Sequence, residues 1–257
     1  AEAYSGKAST YWRYYGRERQ YDVNKPGSWF LPIDMKSSGL VLTARSLEHT
    51  FRVGYHEGEA SRPGEKTGAG FTYGPCPLPG GGGLPPPYCY NLAPSGMDKI
   101  RVPIVTLAAS VSLPENFRLT GEFGKMRIDS ASRGLNRWGG YLALSKRIGA
   151  WTPYVYYAKV KSSDEARSLY RQFNDNANVV NPAYRTYQRL MADLLAAYDQ
   201  STVALGTSYW VSSKSVIKAE WSRVDTGLVS SFVDAPVGGE SGNRRIDIFS
   251  LSYSFTF

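Results

Sequence analysis

The end of the chain, residues 244–257, carries the clearest alternation of apolar and polar positions. Small hydroxylated residues alternate with large apolar ones up to the last position. The apolar set is Phe249, Leu251, Tyr253, Phe255 and Phe257. Because the side chains of a strand point alternately to its two faces, this pattern predicts a β-strand with one apolar and one polar face. The apolar face is aromatic, whereas that of a soluble β-sandwich is normally aliphatic.

Weaker versions of the same alternation recur along the chain and are separated by polar segments. They predict about ten antiparallel strands in one domain that covers residues 1–257, without an internal linker or a sequence repeat. The predicted strands are 11–21, 40–45, 50–58, 100–112, 117–126, 137–146, 152–161, 202–211, 216–224 and 244–257.

Short and long connections alternate between these strands. Tight turns are predicted at 113–116, 147–150 and 212–215. Long loops are predicted at about 60–97, 162–200 and 226–243. The second has helix-compatible spacing. Within the first, the stretch 74–89 is predicted to have no regular structure because of its proline and glycine. An even number of strands with both chain ends on the short-turn side is what a closed up-and-down barrel requires. The last part of a larger barrel of about 16 strands shows the same pattern.

The hydropathy of the chain leaves only strands for crossing a membrane. Mean hydropathy is −0.35, and the sequence has no run of about 18 apolar residues, the length that a spanning helix needs. The 19 tyrosines and six tryptophans suit two interfacial belts, where the ring is apolar and its tip is polar. The expected fold class is therefore all-β, an antiparallel up-and-down transmembrane β-barrel with long extracellular loops.

The alternating aromatic residues that end at Phe257 resemble the closing strand of Gram-negative outer-membrane β-barrels of the porin type. The run from residues 218–221 through 230–236 to 253–257 is also similar to the tail of longer proteobacterial porins. This resemblance implies a location in the outer membrane, among its lipid and lipopolysaccharide. It implies that barrel-assembly machinery reads the terminal aromatic residues Tyr253, Phe255 and Phe257. The implied function is passive diffusion of small hydrophilic solutes.

Charged residues in the middle of the predicted strands are the candidates for a pore lining. A charge on the lipid face at the bilayer midplane costs about 2–4 kcal/mol, so such residues are expected to face the interior of the barrel. The pore-lining candidates are Arg45, Arg52, His56, Arg118, Glu122, Lys218 and Glu220.

Two interpretations of these inward charges remain open. In the first, the cations line a watery passage and give it a weak preference for anions. In the second, Arg118 pairs with Glu122 and Lys218 pairs with Glu220 across neighbouring strands, and these ion pairs fill a narrow lumen, as is common in barrels of eight to ten strands. The corresponding functional alternative is a non-conducting barrel that acts as a scaffold, an adhesin or a partner subunit through its loops.

The two cysteines, Cys76 and Cys89, flank a stretch rich in proline and glycine. A disulfide that closes this loop of about 14 residues contributes roughly 3 kcal/mol in the loop-entropy model and requires an oxidising compartment. A metal site is disfavoured because the only histidines, His49 and His56, are distant in sequence. The sequence therefore predicts a disulfide and no bound metal.

The net charge of +8 fits contact with phosphate-rich lipopolysaccharide, because many of the arginines fall in or beside the long loops. No nucleic-acid-binding motif accompanies the charge, so no nucleic-acid partner is expected. The lipase motif Gly-x-Ser-x-Gly is absent and neither histidine has an aspartate beside it, so we expect no catalysis and no cofactor. A homo-oligomer or a partner protein remains compatible with the sequence.

Deletion of Phe257 is expected to lower assembly in the outer membrane, because the resemblance assigns the terminal aromatic residue to recognition by the assembly machinery. The amount of folded, heat-modifiable protein in outer-membrane fractions measures this, and Phe257→Tyr is the control that keeps an aromatic ring. Equal amounts of folded protein with and without Phe257 contradict the assignment.

Overall fold

A computed structural model describes residues 1–15, 28–66, 69–76, 88–94, 97–128, 136–179, 185, 188, 191–192, 195, 197–229 and 242–256. The all-β class is confirmed: the described elements are twelve strands, one α-helix and one short 3₁₀ turn. The strands are β1 (Glu2–Tyr15), β2 (Ser28–Arg45), β3 (His49–Ser61), β4 (Ala69–Pro75), β5 (Tyr88–Pro94), β6 (Ile100–Leu113), β7 (Phe117–Met126), β8 (Arg137–Lys146), β9 (Trp151–Ser162), β10 (Asp199–Ser212), β11 (Ser215–Thr226) and β12 (Arg244–Phe255), and the helix is α1 (Asp164–Val179).

Ten of the strands form one antiparallel sheet in which neighbours along the chain are neighbours in the sheet, in the order β1-β2-β3-β6-β7-β8-β9-β10-β11-β12. The predicted number of strands in the sheet is therefore confirmed. The remaining pair, β4 and β5, forms a separate hairpin inside the long loop that follows β3. The stretch 74–89 was predicted to have no regular structure; its two ends belong to β4 and β5, and residues 77–87 at its centre lie outside the described part.

The sheet is not closed into a barrel, because β1 and β12 share no pairing in the described part of the chain. The register shows how the two edge strands differ. β1 pairs with residues 28–41 of β2 and so continues past β3, which pairs with β2 only as far as Asp34. In contrast, β12 runs beside the whole of β11. The first strand also begins well before the predicted range of 11–21, whose last residues lie outside the described chain.

Tight turns connect consecutive strands at one end of the sheet, here called the short-turn edge, as predicted. The 3₁₀ turn Pro114–Asn116 between β6 and β7 places Glu115 and Asn116 at φ 57° and 62°, a left-handed backbone that a short turn requires. Gly149 in the turn before β9 has φ 59°, which costs glycine little. The long connections therefore lie at the opposite end of the strands, here called the long-loop edge.

One face of the sheet is apolar and open. Side chains that are directly opposite one another on paired strands share a face. On this face, here called outward, many side chains are apolar and exposed; Phe249 and Leu251 are 80% and 78% exposed. Such a continuous apolar surface is rare on a soluble monomer. The exposed residues of this apolar face include Leu40, Leu42, Phe51, Val53, Tyr55, Val105, Leu107, Phe123, Leu142, Leu144, Trp151, Val155, Tyr157, Val203, Leu205, Ile217, Tyr253 and Phe255.

The boundary of the apolar face runs obliquely to the rows of paired residues. One row is apolar where it crosses the first strands, at Leu42, Val53, Leu107 and Phe123. The same row continues through Gly140 to charged or polar residues on the later strands, namely Lys159, Ser201, Asp225 and Arg245. The strands are therefore tilted relative to the apolar zone, which is the geometry of strands in a barrel wall.

A small folded unit, the cap, lies at the long-loop edge. It consists of α1, the β4–β5 hairpin, described residues 185–197 and Val229. Its buried apolar residues are Tyr170, Phe173, Met191, Ala192, Leu195, Ala197 and Val229. The Tyr90 ring stacks on Phe173 with centroids 4.1 Å apart, and Phe71 meets the same ring edge-on at 4.9 Å. No helix in the described residues is long and apolar enough to span a membrane.

The disulfide between Cys76 and Cys89 is confirmed and joins the ends of β4 and β5. Beyond it, the buried side chain of Gln188 binds the edge of β5. The Tyr90 backbone N–H donates to Gln188 Oε1 at 3.0 Å, and Gln188 Nε2 donates to the Tyr90 carbonyl at 2.9 Å. Asn176 Nδ2 also donates to Gln188 Oε1, at 2.7 Å. Burial in this region, with some contribution from Tyr73, raises the pKa of the Tyr90 phenol.

Replacement of Gln188 by leucine is expected to destabilise the cap by about 1–3 kcal/mol, because the amide group of Tyr90 and Asn176 lose their partners in a buried site. Amide hydrogen exchange of β5 and α1 measures this local stability. Gln172→Leu is the matched control, since Gln172 Oε1 accepts from the Tyr90 hydroxyl at 3.3 Å in an exposed position. Equal exchange rates in both variants contradict the role of Gln188.

Candidate functional site: the polar face of the sheet

The face opposite the apolar one carries all seven charged candidates. Their alternation along each strand and the cross-strand register place them on the same side of the sheet. Arg45 lies at the short-turn end of β2, opposite Thr50. Arg52 and Glu122 belong to one row and are separated by a single strand, which contributes Ala108 between them. Their backbones are thus about 10 Å apart, too far for direct contact without extension of both side chains.

Lys218 and Glu220 form the best-defined polar cluster on this face. Lys218 Nζ lies 3.0 Å from Glu220 Oε2, so this ion pair is present, although within β11 and not across neighbouring strands as expected. Two phenols from β9 complete the cluster: Tyr154 donates to Glu220 Oε2 at 2.6 Å and Tyr156 donates to Oε1 at 3.2 Å. Lys218 Nζ also lies 5.1 Å from the centre of the Tyr154 ring. The carboxylate is therefore balanced by one cation and two hydroxyl donors.

Arg118 does not pair with Glu122, and this expectation was wrong. Its guanidinium donates to Ser110 Oγ at 3.1 Å and Ser112 Oγ at 3.3 Å, both on the neighbouring β6. Four residues along one strand separate Arg118 from Glu122 by about 13 Å, which is beyond the reach of a direct ion pair. The Glu122 carboxylate instead hydrogen-bonds the Tyr141 hydroxyl on β8. Within the described chain, Arg118 has no carboxylate partner.

His56 is a hydrogen-bonded member of the polar face. Its Nδ1 lies 2.8 Å from the Tyr4 hydroxyl, and its Nε2 lies 3.1 Å from Thr106 Oγ1. Gly39 makes this contact possible, because a Cβ there would lie 2.7 Å from both His56 Nδ1 and the Tyr4 ring. With both ring nitrogens engaged, His56 functions here as a wall residue that joins β1, β3 and β6.

Two grooves follow the polar face. One has a volume of about 610 Å³ and is lined by Arg52, His56, Glu122 and Tyr141, among others. The other, of about 1010 Å³, lies at the short-turn edge, where Arg118, Ser145, Arg147 and Trp210 contribute to its lining. The arrangement offers cations, carboxylates and hydroxyls to water and small polar molecules.

Sequence reasoning missed the phenols of Tyr141, Tyr154 and Tyr156. The signal was present, because Tyr154 and Tyr156 alternate with the outward Val155 and Tyr157. However, both sets on β9 contain tyrosine, so the pattern alone does not tell which set faces the apolar side. The register to β10 and β11 resolves this, since it places Tyr154 in the row of Gly206 and Glu220.

The chemistry of the polar face is ionic and hydrogen-bonding. Among the described residues, no group of three or more His, Cys, Asp or Glu side chains is arranged to hold a metal ion. Comparison of the chain with models of known protein families finds no match. Comparison with curated proteins finds no match either.

Gly206→Ala is expected to displace Tyr154 from Glu220 and to lower the free energy of unfolding by about 1–3 kcal/mol through steric strain. The Tyr154 ring crosses over Gly206, and an added Cβ would fall on the phenol and lie 2.9 Å from the Ala219 carbonyl oxygen. Urea unfolding of the refolded protein measures the change. Gly6→Ala is the control, because a Cβ at Gly6 meets no atom within 4 Å. Identical midpoints for the two variants contradict the close packing at Gly206.

Proposed function

We propose that the sheet is part of the wall of an outer-membrane β-barrel that acts as a porin-like channel. It allows passive diffusion of small hydrophilic solutes, with a weak preference for anions. The observation that carries this proposal is the division of one continuous sheet into an open apolar face and a charged, hydroxyl-rich face. A barrel wall between lipid and water has this division.

The outward side chains support a position within a bilayer. At the short-turn edge, aromatic residues are concentrated where an interfacial belt is expected: Trp151 and Tyr209 lie 4.5 Å apart, and Tyr253 follows in the same row. Lys146 Nζ lies 4.4 Å from the centre of the Phe117 ring. An apolar ring and a charged group therefore lie side by side at this end of the strands. Charged side chains bound the apolar face on the long-loop side.

Closure of the wall is part of this proposal. Unpaired backbone N–H and C=O groups cost several kcal/mol each in hydrocarbon, so the free edge of β12 requires a strand along its whole length. A larger barrel, or one completed by another copy or partner, satisfies this requirement. Assembly through the aromatic signal at Tyr253, Phe255 and Phe257 belongs to the same proposal, although Phe257 lies outside the described residues.

The weak anion preference follows from the balance of charges on the polar face. Lys218 and Glu220 neutralise each other. Arg118 is held by two serine hydroxyls, and Arg52 has no carboxylate partner among the residues that the structure describes. Glu122 is the remaining carboxylate of the candidate set. Cations near open water raise the local concentration of anions.

The cap favours a second candidate function. It has its own buried core and a disulfide at the long-loop edge, so it is suited to a stable contact surface. A non-conducting barrel that acts as a scaffold, an adhesin or a partner subunit uses such a surface. We propose no enzymatic activity for either alternative.

Conductance in a planar bilayer separates the two functions. In the channel, replacing both Arg118 and Lys218 by glutamine is expected to move the reversal potential towards cation selectivity while conductance is kept. The shift should weaken as salt rises, because screening at about 0.1 M salt acts over roughly 10 Å. The control replaces the outward Arg223 and Arg245 by glutamine, which changes the net charge equally on the other face.

The outcome that contradicts the channel is a wild-type protein that inserts and does not conduct. If the double variant then unfolds more easily, the charges are structural, since Glu220 has lost its cation. Conduction with the same reversal potential in wild type, variant and control shows that these residues do not line the path.

A further inference from the structure

An outward group of charges, the cation cluster, lies just beyond the apolar face on the first strands. It consists of Glu59 on β3 and three cations that converge on it. Lys99 Nζ lies 2.7 Å from Glu59 Oε2, Arg101 Nε lies 3.8 Å from the same oxygen, and Lys36 Nζ lies 3.6 Å from Oε1. Lys7 on β1 is opposite Lys36 and extends the row.

The cluster has more positive charge than its single carboxylate can neutralise. The side chains of Lys36, Lys99 and Arg101 are 59%, 45% and 63% exposed, whereas Glu59 is 19% exposed. An ammonium group has three donors and a guanidinium has five, so most donors of the cluster point to its surroundings. Two more outward carboxylates, Asp34 and Glu57, lie nearby, and so do two more cations, Lys7 and Lys125. Cations therefore outnumber carboxylates in this area by five to three.

The opposite end of the sheet provides an internal contrast. There the outward cations are matched one to one with carboxylates: Arg223 Nε donates to Asp247 at 2.9 Å, and Arg245 Nε donates to Asp225 at 2.9 Å. A general need for charges at the rim therefore does not explain three cations around one carboxylate. The excess of cations is centred on Glu59, where Lys36, Lys99 and Arg101 converge.

The position of the cluster indicates the kind of anion. Two rows of the same face follow the cluster towards the short turns. The first holds Ser38, Glu57 and Pro103, and the second is an apolar row of Leu40, Tyr55 and Val105. The cluster and this apolar row are four residues apart along the strand, which is about 13 Å. Extended lysine and arginine side chains cover roughly half of that distance while their stems lie on apolar surface. A ligand that fits both parts has an anionic group joined to acyl chains.

We propose that the cation cluster binds the phosphate group of an anionic membrane lipid, whose acyl chains lie against the apolar rows below it. Arginine and lysine bind phosphate oxygens through charge-assisted hydrogen bonds, and arginine does so bidentately. The lipid that combines phosphate groups with several acyl chains at the outer surface is of the lipid A type. The inference rests on the proposed position in the membrane and adds a specific lipid site to it.

The test uses the full chain refolded in a neutral detergent, with diphosphoryl lipid A as the probe and native mass spectrometry as the measurement of binding. Replacing both Lys99 and Arg101 by glutamine is expected to weaken binding at least tenfold. The matched control replaces Arg223 and Arg245 by glutamine, removes the same net charge and is expected to bind within twofold of wild type. Circular dichroism and heat modifiability check that each variant is folded. Equal binding by wild type and the cluster variant overturns the proposal.

A second variant gives an effect in the opposite direction. Glu59→Gln raises the net charge of the cluster by one and frees the donors that Glu59 occupies, so lipid A is expected to bind several-fold more tightly. Weaker binding by Glu59→Gln overturns the proposal, because the cations then serve Glu59 and not a ligand. This variant also remains informative if the double replacement fails to fold.

Two further probes separate the sources of phosphate. Lipid A from which both phosphates have been removed is expected to lose binding, and inorganic phosphate at millimolar concentration is expected to compete poorly. Full displacement by inorganic phosphate assigns the site to free anions and overturns the lipid. Conduction is measured separately: a protein that binds lipid A at the cluster and does not conduct refutes the channel alone, whereas a conducting protein without lipid binding refutes the site alone.

Discussion

The antiparallel register fixes the face of every side chain in the ten-stranded sheet. A slip of one residue between two strands would turn all later side chains to the other face, and apolar rows would meet charged ones. Within the described strands, the register changes only between Trp210 and Ser212, at the short-turn end of β10. The apolar face, the polar face and the oblique boundary between apolar and charged residues all depend on this regularity.

Glycines let side chains on the polar face reach across neighbouring strands. Tyr154 crosses Gly206 to bind Glu220, and Tyr4 meets His56 over Gly39. A side chain at either glycine would separate partners on different strands. Polar contacts therefore join strands laterally across the polar face. On the opposite face such contacts occur among the charged residues beyond the apolar rows, as between Arg223 and Asp247. Hydrogen bonds hold the phenols and the carboxylate of the polar face in position.

Much of the sheet could be predicted from the sequence because alternation is a local property. Strand β12, the tight turns, the disulfide and eight of the ten strand positions follow from patterns within a few residues. Other features did not. Strand β2 was predicted only over residues 40–45, whereas it spans Ser28–Arg45. Strand β1 was misplaced because its outward residues Ser5, Lys7 and Ser9 are polar and lie beside other polar residues of β2. The partner of Arg118 and the phenols around Glu220 depend on which strands are adjacent and in what register, which alternation does not contain. The burial of Gln188 depends on tertiary packing in the cap.

The tilt of the strands has a consequence for the order in which a solute meets charges. Because the paired rows are oblique to the apolar zone, residues of one row lie at different depths. The first outward charge on the long-loop side marks the end of the apolar zone on each strand. On β3 this charge is Glu57, five residues after Arg52, whereas on β7 it is Lys125, three residues after Glu122. Glu122 thus lies nearer to the long-loop side than Arg52 does. In the proposed channel, an anion from that side encounters the carboxylate before the guanidinium, and an anion from the other side encounters them in reverse. The proposed channel is therefore expected to pass unequal currents at opposite voltages of the same size.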